Sequence, residues 1–405
     1  MKKILPFTLL ALSAAVLAGC GETPSSPLVV SKLFTATSQR NNVIELYNPS
    51  AEAIELGDFS FRFYTNGANE MTAEIKLTGT VEAASYFAVG SSNNSVPAVL
   101  SALDFSYTEG SLPFNGNDAI ELVYKDTVID FLGRKGMDVD YSKNVTMIRL
   151  GEKEDYTPSV TFDAFNFISY VPDYFTALKN DNHAIKTLDQ LYAGPVLEDR
   201  YKSMPFVQEG STTIGGGGAV QTTLNSAYDG DTAAFRATTT FGGGSVRYYY
   251  INTPEVQSPY VNAEPWGYVA SKYNKEYILN NASSKTIYIQ SIPGGALEEV
   301  NGRTLGLVWV NGVLSQYLTV REGLSEDVGV SFSAIDIALT YEDVPYLTFL
   351  QFNEHRAVLN GWGTKGYPTN PEGDKSPDWN YSANNGVGAN STTTPVWQPH
   401  LAMPW

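Results

Sequence analysis

Between about Leu28 and Asn182, apolar and polar residues alternate in short runs that end in turn-forming residues. "NVIELYNPS" (Asn42 to Ser50) alternates into an Asn-Pro turn, and "AIELGDFSFRFY" (Ala53 to Tyr64) repeats the pattern after a break. "YFAVG" follows, and then "FNGNDAIELVYKDTVIDFLG" (Phe114 to Gly133), which reads as two strands joined around Lys125-Asp126. Short strands at regular spacing predict an antiparallel sandwich over residues 31–182. The next stretch, 183–219, has no strong period. Its end, "GSTTIGGGGAV" (Gly210 to Val220), has the composition of a flexible joint, so a linker is expected there. The four glycines do not read as a phosphate cradle, because no Gly-Lys-Ser/Thr opens a helix after them.

Beyond the joint the period is mixed. "AYDGDTAAFRATTT" (Ala227 to Thr240) predicts a turn and a strand. After the glycine hairpin "FGGG", "VRYYYINTPE" (Val246 to Glu255) predicts an aromatic, β-branched strand that breaks into a polar loop. "EPWGYVASKYNKEYILNN" puts Trp266, Ala270, Tyr273, Tyr277 and Ile278 on one helical face ending at Asn280-Asn281. "GRTLGLVWVNGVL" predicts a strand with an Asn-Gly turn, "QYLTVREGL" (Gln316 to Leu324) a short helix stopped by Gly323, and "NEHRAVLNGWG" a last helix. About five strands with interspersed helices point to a small closed barrel of the OB type over 220–382, with 383–405 left as a polar tail.

The N-terminus sets the solvent that any site would face. "MKK", an apolar segment from Ile4 to Val16 that is too short to span a bilayer, and "LAGC" at Leu17 to Cys20 predict a signal peptide over 1–19. A signal ending directly in cysteine resembles the bacterial lipobox, which implies acylation of Cys20. The protein would then be held by lipid on the extracytoplasmic face of the cell membrane, with residues 20–30 as a tether. Cys20 is the only cysteine, which leaves no thiol for a disulfide or a metal cluster. With 43 acidic against 26 basic residues and a formal net charge of −17, the chain has no general electrostatic grip on nucleic acid, so an anionic substrate must be held locally. The roughly 385 residues after the signal exceed one comfortable core, so two domains are expected.

"IELYNPS" and "GNDAIELVY…VIDFLG" resemble the lamin-tail domain over about 150 residues. The resemblance implies an immunoglobulin-like β-sandwich with an accessory or binding role and an unknown ligand. The order Asp-Gly-Asp-Thr, Arg-x5-Thr-Pro-Glu, "EPWG", Gly-Arg and Arg-Glu-Gly-Leu, closing on "SPDWNYS", resembles the thermonuclease (staphylococcal-nuclease-like) family from Val220 to Tyr381. The fold class is therefore expected to be mostly β and multidomain: an immunoglobulin-like sandwich followed by a five-stranded OB-type barrel with helices.

Hydrolysing a phosphodiester requires neutralisation of phosphoryl charge and a positioned water, and a hard cation with oxygen ligands and two guanidinium groups can provide both. The thermonuclease resemblance implies Ca2+ held by Asp231, Asn252 and the Thr253 carbonyl, Glu255 as general base, and Arg247 and Arg303 as a phosphate clamp. The substrate implied is DNA and/or RNA. The family pattern has Asp where this chain has Asn252, which keeps a carbonyl oxygen but lacks the charge. The rival class is a catalytically degenerate, nuclease-like surface lipoprotein that only binds or adheres. Joint retention of Asp231, Glu255, Arg247 and Arg303 favours the enzyme. Tyr248 to Tyr250 are expected in the barrel wall, and His183, His355 and His400 lack the spacing of a metal site.

Overall fold

The computed structural model describes residues 26–259, 263–328, 333–366 and 397–405. Cys20, the signal-like segment and "SPDWNYS" lie outside the described residues.

The first unit is built from two main sheets, with a short ladder of Ile54–Glu55 and Thr80–Val81 beside them. A six-stranded sheet runs in the order Phe167–Tyr170, Thr146–Arg149, Val29–Phe34, Val43–Tyr47, Tyr86–Ser91, Phe105–Tyr107, antiparallel except for its last pair. An antiparallel four-stranded sheet runs Thr127–Leu132, Ala119–Tyr124, Phe59–Tyr64, Ala73–Lys76. Leu33, Ile44, Leu46 and Met147 of the first share one core with Phe61, Phe63, Ile120 and Leu122 of the second. The period-2 pattern thus becomes the inner faces of a sandwich. Lys125 (φ 46°) and Asp126 (φ 62°) both take the left-handed conformation that a two-residue hairpin with the native twist requires.

The outer face departs from simple alternation. Glu45 is buried, paired with buried Lys32 at 2.5 Å and accepting a hydrogen bond from the Lys179 backbone N–H at 2.6 Å. The segment around Lys179 covers a face that alternation alone assigns to solvent. Burial raises the Glu45 carboxyl above its ordinary range, against the attraction of Lys32.

In the second unit, the extended stretch 219–227 pairs through Ala219–Thr222 with Ile287–Gln290 and through Leu224–Ala227 with Thr232–Phe235. Thr232–Phe235 pairs with Gly244–Tyr248, which lies parallel to Thr304–Val310, and that strand returns to Ile287–Gln290. The ladder therefore closes on itself as a barrel of five main strands, with Val313–Leu314 turned back by Asn311 (φ 51°) and Gly312 (φ 81°). The predicted first helix is present as Gly267–Lys272 continuing into a wider π turn, Tyr273–Ile278, with Trp266, Ala270, Tyr273 and Ile278 buried. The second helix is Ser315–Arg321, ended by Gly323 (φ 68°), and the last is Tyr346–Asn360.

Three segments differ from the expected organisation. Leu28 to Val30, expected in the tether, are buried, and Val29 and Val30 open the first strand. Residues 183–219, expected as a linker, form the helices Leu188–Ala193 and Asp199–Lys202 and add Leu197, Tyr201 and Phe206 to the barrel core. A side chain on Gly215 would strike the Ile292 carbonyl, on Gly216 that of Pro205 and on Gly218 that of Met204, so these glycines serve close backbone packing, not flexibility. The end of the expected polar tail also docks: buried Trp397 packs edge-on to Tyr273, and Glu322 accepts hydrogen bonds from the backbone N–H groups of His400 at 2.7 Å and Leu401 at 3.2 Å.

The two units also share a core. Val344, Phe349 and Phe352, the last two on the helix Tyr346–Asn360, pack with Ile148, Ile168 and Tyr170 of the outer strands, and with Ile185 and Leu191. Polar contacts cross the same seam: Thr348 Oγ1 donates to the Ser169 carbonyl at 3.0 Å, and the Val171 N–H to the Asp343 carbonyl at 3.1 Å.

Candidate active site

The site forms at one end of the barrel, where the turn before Thr232–Phe235 meets the end of Gly244–Tyr248. Thr232 and Arg247 are directly paired across these strands. The chain then kinks at Tyr250, whose φ of 74° is unusual for a bulky residue. Tyr250 is buried and its hydroxyl donates to the Asp336 carbonyl at 2.7 Å, which secures the kink. Tyr248 is buried as well, while Tyr249 is half-buried and donates its hydroxyl to Asp336 at 2.8 Å. All three tyrosines are thus structural, as the sequence suggests.

Past the kink, Thr253 comes under the Asp-Gly-Asp turn. Asp231 is buried; its Oδ2 accepts from the Thr253 N–H at 2.7 Å and from Thr253 Oγ1 at 3.0 Å. Its Oδ1 accepts from Thr232 Oγ1 at 3.1 Å and is paired with Arg247 Nη1. Arg247 Nη2 donates to Asn252 Oδ1, so Asp231 and Asn252 aim oxygens at one guanidinium. Gly230 permits this closeness, since a Cβ there would lie 2.6 Å from Thr253 Oγ1 and 2.8 Å from the Ala270 Cβ.

Glu255 is half-buried, and its backbone N–H donates to Glu264 Oε2 at 2.7 Å. Gly267 opens the following helix against the Glu255 carbonyl, where any side chain would collide. Burial raises the Glu255 carboxyl above the usual range, the neighbouring Asp229 charge adds to the rise, and Arg247 opposes it. Arg303 donates through Nε to Glu299 at 2.6 Å, which raises its pKa, and reaches Thr232 Oγ1 at 3.5 Å through Nη1. Burial, then repulsion from Arg303, lowers the pKa of Arg247.

All six of the candidate residues beyond the terminus therefore gather in one neighbourhood: Asp231, Arg247, Asn252, Thr253, Glu255 and Arg303. Sequence reasoning missed four acidic partners: Asp229, Glu264, Glu299 and Glu326. Asp229 accepts the Asp231 N–H at 3.1 Å; burial raises its carboxyl, with Thr232, Arg247 and Arg303 opposing. Its place in the Asp-Gly-Asp motif was the available signal. Glu264 stands in "EPWG", whereas Glu299 and Glu326 stand in none of the motifs. Among the described residues no three His, Cys, Asp or Glu side chains are placed to hold a metal by themselves. A cation here must also draw on the oxygens of Asn252 and Thr253. These all-oxygen donors, two of them already converging on a positive group, fit a hard cation.

Residues 245–334 match the family model described as staphylococcal nuclease homologue. This staphylococcal-nuclease-like region contains every candidate residue beyond the terminus except Asp231, which lies just ahead of it. Two proteins of Bacillus subtilis (strain 168) are also similar. The chain is 31% identical to endonuclease YncB over 157 residues, covering 37% of this chain and 65% of YncB. It is 31% identical to the SPbeta prophage-derived endonuclease YokF over 156 residues, covering 37% of this chain and 46% of YokF. The aligned part thus spans between about half and about two thirds of these relatives' lengths.

Proposed function

We propose that the protein is a calcium-dependent nuclease that hydrolyses phosphodiester bonds of DNA and/or RNA outside the cell. The observation that carries this reading is the convergence of Asp231, Arg247 and Asn252 on one another beside Glu255 and Arg303, all but Asp231 within the region that matches the staphylococcal nuclease homologue family. Asp231, Asn252 and the Thr253 carbonyl would hold calcium, which when bound supplies positive charge for a phosphoryl oxygen and for a water. Glu255 takes the proton of the attacking water; its raised pKa makes it a stronger base than a solvated glutamate. Arg303 offers a planar fork to the phosphate, steadied at Nε by Glu299. Arg247, which here is bound to Asp231 and Asn252, would supply the second guanidinium of the phosphate clamp. The test is cleavage of plasmid DNA and of RNA by the purified full chain, with calcium and with a chelator. Calcium-dependent cleavage is expected; no cleavage at millimolar calcium would leave a protein that only binds.

The lamin-tail resemblance, together with the two-sheet core, supports an immunoglobulin-like accessory module for the first unit, its ligand unidentified. Anchoring rests on "LAGC" alone. Cys20→Ser is expected to move the protein from the membrane fraction to the soluble fraction or to block its maturation. Unchanged membrane fractionation would remove the lipid anchor.

A further inference from the structure

Asn252 is gripped from the side away from Arg247. Its strand, Ile251–Asn252, pairs with Asp327–Val328, and its carbonyl accepts from the Glu326 N–H at 2.7 Å and from Ser325 Oγ at 3.1 Å. Its side chain is held at both ends. Nδ2 donates to Glu326 Oε2 at 2.9 Å, and Oδ1 accepts from Arg247 Nη2.

The difference between an aspartate and an asparagine matters here. A carboxylate presents oxygen whichever way it turns, whereas an amide presents oxygen one way and N–H groups the other. An ionised carboxylate only accepts hydrogen bonds, so the Nδ2 end must face Glu326 and Oδ1 must face Arg247 and Asp231. Burial and the nearby Glu264 charge push the Glu326 carboxyl up, while the hydrogen bond from Asn252 and the charge of Lys365 favour its ionised form.

We propose that Glu326 is a positioning residue: it fixes the Asn252 amide with its oxygen toward the cation site and restores beside position 252 the negative charge that asparagine lacks. The inference deepens the calcium-site reading and rests on it. It also reverses a simple expectation about Asn252→Asp. That change adds a carboxylate to the site but sets it against Glu326, where the Nδ2 donor had been. The two charges repel, and the gain in cation affinity is reduced or lost.

The experiment is calorimetric calcium titration of the full chain and of Asn252→Asp, Glu326→Gln and the double variant, with cleavage and calcium-free thermal unfolding measured in parallel. Glu326→Gln is expected to weaken calcium binding about tenfold, the lower end for loss of a partner that orients a ligand, because glutamine can donate to Oδ1 and let the amide turn. Asn252→Asp is expected to strengthen binding at least about fivefold more in the Glu326→Gln background than in the parent, a coupling of about 1 kcal/mol. A purely structural Glu326 would lower the calcium-free unfolding midpoint without such rescue. Calcium affinities that change additively within about twofold, or a parent that binds no calcium, would overturn the proposal. Coupled calcium binding without cleavage by any of the four proteins would uphold it and remove the nuclease reading instead.

Discussion

Glu255→Gln is expected to lower kcat for phosphodiester cleavage by about 100-fold or more at saturating calcium, within the range that a positioned general base contributes. Glutamine keeps the size of the side chain and leaves the backbone hydrogen bonds between Glu255 and Glu264 in place, so the backbone at these two residues should not move. What disappears is the acceptor for the proton of water. The calcium midpoint should change little, because the hydrogen-bonded oxygens around Asp231 and Asn252 are untouched. Arg303→Lys should also cost turnover, by about 100-fold if the fork contacts the transition state, since an ammonium has no planar pair of donors. The measurement is kcat and KM at several calcium concentrations for the three proteins. A loss confined to KM would make Glu255 a substrate-binding residue. A change of less than about threefold in every constant would take it out of the chemistry.

A fragment beginning near Thr213 is expected not to fold cooperatively, although the glycine composition invites a cut there. Such a fragment loses Leu197, Tyr201 and Phe206 from the barrel core and uncovers Val344, Phe349 and Phe352. It also breaks the reciprocal bonds of Tyr201, whose hydroxyl accepts from the Thr340 N–H and donates to the Thr340 carbonyl, both at 2.9 Å. Burying one large apolar side chain contributes about 1.5–3 kcal/mol, so six together match or exceed a typical domain stability of about 5–15 kcal/mol. Thermal unfolding of the 213–405 fragment should show no sharp transition, and the full chain should unfold with both units coupled. Phe349→Ala, a milder probe of the same seam, should cost about 3–5 kcal/mol. A fragment that melts sharply within a few degrees of the full chain would refute the shared core.

These two expectations differ in how much of them the sequence carries. The clamp and base residues stand in short ordered motifs, and the barrel strands deliver them to one end because Thr232 pairs with Arg247. The dependence of the second unit on the first has no such motif. It arises from Phe349 and Phe352, which lie ahead of the stretch "NEHRAVLNGWG" that the sequence predicts as the last helix and belong to its first turns in the fold.

Local conformation was therefore set by neighbours along the chain. Lys125-Asp126 and Asn311-Gly312 turn their hairpins, Gly323 stops its helix, and alternating residues face a sandwich core, because backbone sterics and side-chain period act over a few residues. Contacts across the chain obey no local period. Asn252 meets Glu326 74 residues away, Asn353 donates to the Leu191 carbonyl 162 residues away, and neither pair leaves a mark in the pattern around it. Gly215 to Gly218 make the same point, since a run of glycines suits a loose joint and a tight backbone contact equally well. Only the carbonyls of Ile292, Pro205 and Met204, brought against them by the fold, decide that here it is the contact.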